Sequence, residues 1–248
     1  MEFAILGPLE VLVAGRRINV AGARERKILA ALLLAADGRS SLDRLVSAVW
    51  DTHHPTTARK QVQNCVAGLR RRLLRAGAPE RILETRPSGY QLNIGRDELD
   101  ARVFVDRVDT ARLATAAGRP DEATVHYRVA LAMWRGPVLE DLDSQSVAAS
   151  AAWLAELQLS AAEEFFELEL GGGRHERIVG DLMRLCAQFP TRERLHGQLM
   201  LALHRSGRQV DAHTVYRRLR RHLAEELGVD PGAHLLRLRD RVLSARTG

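Results

Sequence analysis

Cysteine, aromatic residues and long apolar runs are all scarce in this sequence. Its two cysteines, Cys65 and Cys186, stand in 248 residues, too few for a disulfide framework or for a zinc site between them. Each lies in an apolar helical pattern, which predicts reduced core thiols. Aromatics make up 4% of the chain, which argues against an aromatic-rich β-sandwich. The longest apolar run, Ile28 to Ala36, is about half a membrane span. No basic segment leading into an apolar one opens the chain, so the expected location is the cytoplasm.

Catalytic signatures are missing too. Gly171-Gly172-Gly173 has no strand before it and no Gly-Lys-Ser/Thr after it, and reads as a helix-to-helix turn rather than a phosphate cradle. His196, His204 and His213 lack zinc-helix spacing, and no Ser or Cys sits in a nucleophile motif. His53 and His54 are neighbours without further ligands and read as loop surface. Trp134 and Trp153 sit in apolar patterns and are expected in the core. No active site, metal or cofactor is expected.

The most informative absence is acid between Thr57 and Arg75. In a stretch read as one helix, Ala58, Val62, Cys65, Val66, Leu69 and Leu73 follow the spacing of a single apolar face. Opposite them lie Lys60, Gln61, Asn64, Ala67, Gly68, Arg71 and Arg75. The segment also carries Arg59, Arg70 and Arg72, with no Asp or Glu. A passive surface helix usually mixes both signs, so this asymmetry points to a polyanion. Asn64 and Gln61 can form paired hydrogen bonds with an adenine edge, and arginine with guanine.

Overall charge agrees. Of 37 Lys+Arg and 31 Asp+Glu, residues 1–96 hold 16 and 8, a net +8, and the remainder is net −2. All the excess positive charge is therefore in the first third. At 46% hydrophobic residues the chain can build one large core or two ordinary ones.

In chain order, Phe3–Leu6, Leu9–Val13 and Arg16–Val20 read as a small antiparallel sheet punctuated by Gly7-Pro8 and Ala14-Gly15. A buried helix from about Arg24 to Ala36 is expected to cover it, with Gly38 as its C-terminal stop. Ser40, with Asp43 three residues on, resembles a cap for a helix carrying Leu42, Leu45, Val46, Val49 and Trp50 inward. The loop Asp51 to Thr56 feeds the basic helix. After Ala76-Gly77-Ala78-Pro79, Ile82–Arg86 and Tyr90–Ile94 read as a hairpin around Pro87-Ser88-Gly89, with Arg86 at its tip.

Sheet, three helices and hairpin in that order resemble the DNA-binding domain of OmpR-like response regulators, an α+β winged helix-turn-helix. There the third helix enters the major groove and the wing approaches the minor groove or its phosphates. The resemblance makes Lys60, Gln61, Asn64 and Arg71 base-side candidates. It makes Arg59, Arg70, Arg72 and Arg75 phosphate candidates and Arg86 the wing candidate.

Beyond Arg96-Asp97-Glu98-Leu99-Asp100 everything reads as helix. Gly118-Arg119-Pro120, Gly173-Arg174-His175 and Gly207-Arg208-Gln209 each follow one apolar-periodic helix and open another. The last two glycines have the tetratricopeptide spacing, and the first gap leaves room for an insertion around Trp134-Arg135-Gly136-Pro137. Tyr127 and Tyr216 stand nine residues after their glycines. Such helix pairs stack and leave a groove suited to partner helices. The expected domains are 1–96, winged helix, and 97–248, all-α and tetratricopeptide-like.

Five blocks in register, Arg24-Glu-Arg-Lys-Ile-Leu-Ala-Ala-Leu-Leu-Leu34, Val66-Ala-Gly-Leu-Arg-Arg-Arg-Leu73, Thr85-Arg-Pro-Ser-Gly-Tyr90, Ala130-Leu-Ala-Met-Trp-Arg-Gly-Pro137 and Leu223-Ala-Glu-Glu-Leu-Gly-Val-Asp-Pro-Gly232, are similar to the Streptomyces antibiotic regulatory protein family. In that family an OmpR-like winged helix precedes a bacterial transcriptional activation domain. The resemblance implies an activator, often of secondary-metabolite clusters, that binds direct repeats of double-stranded DNA as a head-to-tail dimer and recruits RNA polymerase holoenzyme. The chain ends at Gly248, so the nucleotide-binding or phosphopeptide-binding extension of larger relatives is not expected. The loop Asp51 to Thr56 departs from the family's usual Gly-containing connection. Two other readings use the same residues. One is an adaptor whose basic domain meets an acidic protein or RNA, and the other is a repressor that occludes a promoter.

Overall fold

The structure, a computed structural model, describes residues 1–244. Two compact units are present, Met1–Leu113 with His126–Leu159, and Ala114–Val125 with the chain from Ser160 on.

The first unit opens with β1 (Glu2–Ala4), β2 (Glu10–Val13) and β3 (Arg16–Arg17), an antiparallel sheet in that order with Phe3 opposite Val11 and Val13 opposite Arg16. The strands are shorter than their β-prone runs. Ile5 and Leu6, fully buried, leave the sheet to meet other partners. The Asp100 carboxylate accepts from the backbone N–H groups of Ile5 (2.8 Å) and Leu6 (3.0 Å). The Leu6 carbonyl accepts from Arg135 N at 2.8 Å, and the Gly7 carbonyl from Leu139 N at 2.8 Å. The segment Met133–Ser144, between helices, thus holds the end of β1, a second cover that periodicity alone did not indicate.

Helix α1 (Ala23–Leu34) buries Ile28, Leu29, Ala30, Leu32 and Leu33 and packs against α2 (Leu42–Trp50) and α3 (Ala58–Arg75). Between α1 and α2 runs a strand that the sequence reading missed, β4 (Arg39–Ser41). It pairs with β6 (Gly89–Leu92), which pairs in turn with β5 (Leu83–Arg86), giving the antiparallel order β4-β6-β5.

That strand corrects two expectations. The residue capping α2 is Ser41, whose side chain accepts from Arg44 N at 3.2 Å, while Ser40 lies buried inside β4. Gly38 is not the stop of α1, whose C-cap is Ala35. It stands at φ +70° where a Cβ would come within 2.3 Å of the Leu92 carbonyl oxygen, so it is required by the close approach of β6.

The remaining helices are α4 (Asp100–Ala116), α5 (Pro120–Ala132), α6 (Gln145–Gly171), α7 (His175–Gln188), α8 (Glu193–Arg205), α9 (Gln209–His222) and α10 (Ala233–Ser244). The division between the units falls within α4, α5 and α6. Within the first unit, Trp134 stacks edge-on against the buried Phe104, centroids 5.2 Å apart. Trp153, expected in the core, is 51% exposed on α6. It occupies a helix face that the apolar pattern marked for burial.

In the second unit α7, α8, α9 and α10 pack in succession. Gly118, Gly173 and Gly207 have φ of +72°, +73° and +74°, the left-handed conformation that ends a helix most cheaply at glycine, so the three repeat starts are structurally alike. Buried Glu163 pairs with Arg192 at 2.8 Å, and buried Glu169 with Arg174 at 2.9 Å. Cys186 is a buried free thiol, and its burial pushes the pKa up to about 12. Among the described residues no helix is long and apolar enough to cross a membrane, and no three His, Cys, Asp or Glu side chains are grouped to hold a metal.

Candidate nucleic-acid interface

Helix α3 is fixed from both sides. Its apolar stripe, Ala58, Val62, Val66, Leu69 and Leu73, is buried to 2% exposure or less, which at ~25 cal/mol per Å² anchors the helix firmly against α1 and α2. Gly68 lies where α3 meets α1, and a Cβ there would stand 2.6 Å from Glu25 Oε1. The loop ahead of α3 is held as well. Asp51, at φ +56°, accepts from Ser146 N at 2.8 Å and from Ser144 Oγ at 3.3 Å, while Ser144 Oγ also reaches the Ala48 carbonyl at 2.9 Å. The Ser146 N–H is the main reason the Asp51 carboxyl stays below its ordinary pKa. His53 and His54 lie exposed in this loop.

Lys60, Asn64, Ala67, Arg71 and Arg75 form the exposed stripe, one to two turns apart along the same side. None of the four polar members makes a side-chain hydrogen bond or ion pair within the described residues. Gln63, which the sequence reading did not single out, is exposed beside them; its place between Lys60 and Ala67 was readable from helical spacing.

The other expected site residues are engaged by the fold. Gln61 accepts from Arg24 Nη1 at 2.6 Å and donates to Thr57 Oγ1 at 2.9 Å. Arg24 also lies 5.2 Å from the Trp50 ring. Arg59 pairs with Asp43 of α2, and Arg72 with Glu25 at 3.1 Å, so the acid absent from α3 itself is supplied in part by its neighbours. Arg70 donates to the Leu83 carbonyl at 2.7 Å and to Thr85 Oγ1 at 3.0 Å, bracing the wing. Arg86 stands at the hairpin tip as expected, donating to Gln91 Oε1 at 2.8 Å and Glu84 Oε2 at 2.6 Å. Asn93 and Arg81 beside Glu84 hold its carboxyl below the usual range.

A third helix with an unneutralised polar and basic stripe, seated on two helices and flanked by a β-hairpin, defines a winged helix-turn-helix protein. A second, helical unit completes its architecture. Residues 16–92 match the family model described as "Transcriptional regulatory protein, C terminal", and residues 99–243 match the bacterial transcriptional activator domain. The chain is 36% identical over 245 residues to the transcriptional regulatory protein EmbR of Mycobacterium tuberculosis, covering 98% of this chain and 63% of EmbR. It is 31% identical over 255 residues to the regulatory protein DnrI of Streptomyces peucetius, covering all of this chain and 94% of DnrI. The solved structure of M. tuberculosis EmbR in complex with a low-affinity phosphopeptide superposes with a TM-score of 0.90, over 100% of this chain and 66% of that one. The chain belongs to the Streptomyces antibiotic regulatory protein family of transcriptional regulators.

Proposed function

We propose that this chain is a sequence-specific DNA-binding activator acting in the cytoplasm. Its winged helix, about residues 1–96, reads DNA, and its helical part, about 97–248, engages RNA polymerase. The observation that carries the reading is the stripe Lys60, Asn64, Arg71 and Arg75, exposed and uncompensated on a helix whose opposite face is locked into the core. A helix so seated presents these side chains to a major groove from a fixed backbone, where Asn64 suits an adenine edge and Arg71 a guanine edge. Lys60 serves a base edge at one end of the stripe and Arg75 a phosphate at the other. Arg59 and Arg86, exposed though paired, can exchange a carboxylate for a phosphate when DNA approaches. Arg70 and Arg72 hold the scaffold rather than DNA. Gln61 helps only if it releases Arg24.

The protomers bind head to tail on direct repeats, since a two-fold arrangement would require a palindrome. The targets belong to a secondary-metabolite cluster, as the family resemblance implies. Selection from a random duplex pool tests the proposal. Two copies of one short motif in the same orientation, about one helical turn apart, are expected. Recovery of no motif, or of an inverted repeat, would refute respectively the reading of bases and the head-to-tail arrangement.

A further inference from the structure

The first unit carries a groove of about 340 Å³ on which the nucleic-acid reading makes no demand. It lies between the end of α1, the start of α4 and the middle of α6. Leu33, Leu99 and Leu154 form its floor, each 2% exposed or less, and Leu34, Val105 and Trp153 line its sides. The size falls at the lower end of the range for small-molecule sites, roughly 300–1,000 Å³. The Trp153 indole on the rim is exposed, whereas Trp50 and Trp134 are half-buried.

Only two charged residues line this groove, and both are arginines. Arg96 is committed, its guanidinium bound through Nε and Nη2 to the two oxygens of the Asp106 carboxylate, with Nε to Oδ2 at 2.6 Å. Arg102 is not. Its guanidinium reaches only the carbonyls of Ile94 and Ala36, both at 3.5 Å, the outer limit of a hydrogen bond. No carboxylate of the described residues lies within ion-pair distance of it. An apolar channel with one uncompensated guanidinium at its mouth matches a molecule with an aliphatic body and a single carboxylate.

We propose that this groove binds a medium-chain aliphatic carboxylate, with its head group on Arg102 and its chain over Leu33, Leu99 and Leu154. Trp153 closes over the chain. The proposal does not depend on the DNA reading.

The test is titration calorimetry on the full chain with decanoate, below its micellar concentration, against decanol of the same chain length. Saturable one-site binding of decanoate is expected, with decanol at least tenfold weaker, because the charge-assisted contact is absent. Arg102→Gln should weaken decanoate by about tenfold or more and leave decanol unchanged. Since Arg102 makes only long contacts to carbonyls, the variant should keep the wild-type circular dichroism; the decanol comparison on the unaltered chain stands even if it does not. Equal affinity for the two probes would overturn the proposal in favour of unspecific apolar partitioning. Absence of saturable binding would also overturn it, and concentration-dependent dimerisation abolished by Trp153→Ser would then assign the face to a second copy of the chain.

Discussion

Replacing Arg70 by methionine separates two roles that the basic helix permits. From the sequence, Arg70 is one of several phosphate candidates. In the fold its Nε donates to the Leu83 carbonyl at 2.7 Å and its Nη2 to Thr85 Oγ1 at 3.0 Å, so it joins α3 to β5. A hydrogen bond from a charged donor contributes about 1.5–3 kcal/mol when shielded. Arg70 is half-buried, so the second bond counts for less and the pair together for ~2 kcal/mol. Methionine keeps most of the aliphatic stem and removes both bonds. For a chain of this size that loss lowers the melting temperature by roughly 4–8 °C, read from thermal denaturation by circular dichroism. A salt titration of binding to a scrambled duplex should meanwhile keep its slope, since no phosphate contact is lost. Unchanged stability with a slope reduced by about one would show that Arg70 holds a phosphate, and the bracing argument would fail.

Three further outcomes follow from the same geometry. Gly89→Ala would bring a Cβ to 2.2 Å from the Ser40 carbonyl oxygen; the β4–β6 pairing must open, costing about 2–4 kcal/mol in denaturant unfolding, and a wild-type midpoint would contradict the stated register. Asp51→Asn removes a carboxylate whose pKa is lowered in the folded chain. A depressed carboxylate contributes stability above its ordinary pKa near 3.8 and loses it as pH falls through the folded value. The variant should therefore be about 1 kcal/mol less stable at pH 7, and the difference should shrink as the pH falls below the ordinary carboxylate range; a difference independent of pH would mean that Asp51 acts through packing. Cys186, buried with its pKa pushed up to about 12, should resist a thiol-labelling reagent at pH 8 until the chain is unfolded, and prompt labelling of the folded chain at that position would contradict its burial.

Periodicity served the sequence reading best where one face is buried. Of the stripe Ala58, Val62, Cys65, Val66, Leu69 and Leu73, all but the half-buried Cys65 are in the core, and the glycines at 118, 173 and 207 all stand at helix turns. What was hidden is long-range. Strand β4 is three residues long and exists because β6, some fifty residues later, pairs with it. A cap at Ser40 and a helix stop at Gly38 were therefore reasonable local readings that the sheet overrode. Trp153 fitted an apolar pattern that did not distinguish a core from a groove rim. Among the site residues, charge was legible and engagement was not. Nothing in the sequence near Arg70, Arg72 or Gln61 reveals that Leu83, Glu25 and Arg24 hold them. The partners lie on other elements, and only the fold brings them together.

In the proposed function the exposed stripe of α3 reads bases. Its most direct test is the affinity of wild type, Asn64→Ala and Arg75→Ala for a selected duplex, its single-base variants and a scrambled duplex, across a salt series. Asn64→Ala should lose roughly 1–3 kcal/mol on the selected duplex and lose discrimination at one base position. Arg75→Ala should weaken every duplex alike and flatten the salt slope by about one. Equal losses for both variants on every sequence, with no base position relaxed, would contradict the claim and leave the helix a sensor of phosphate alone.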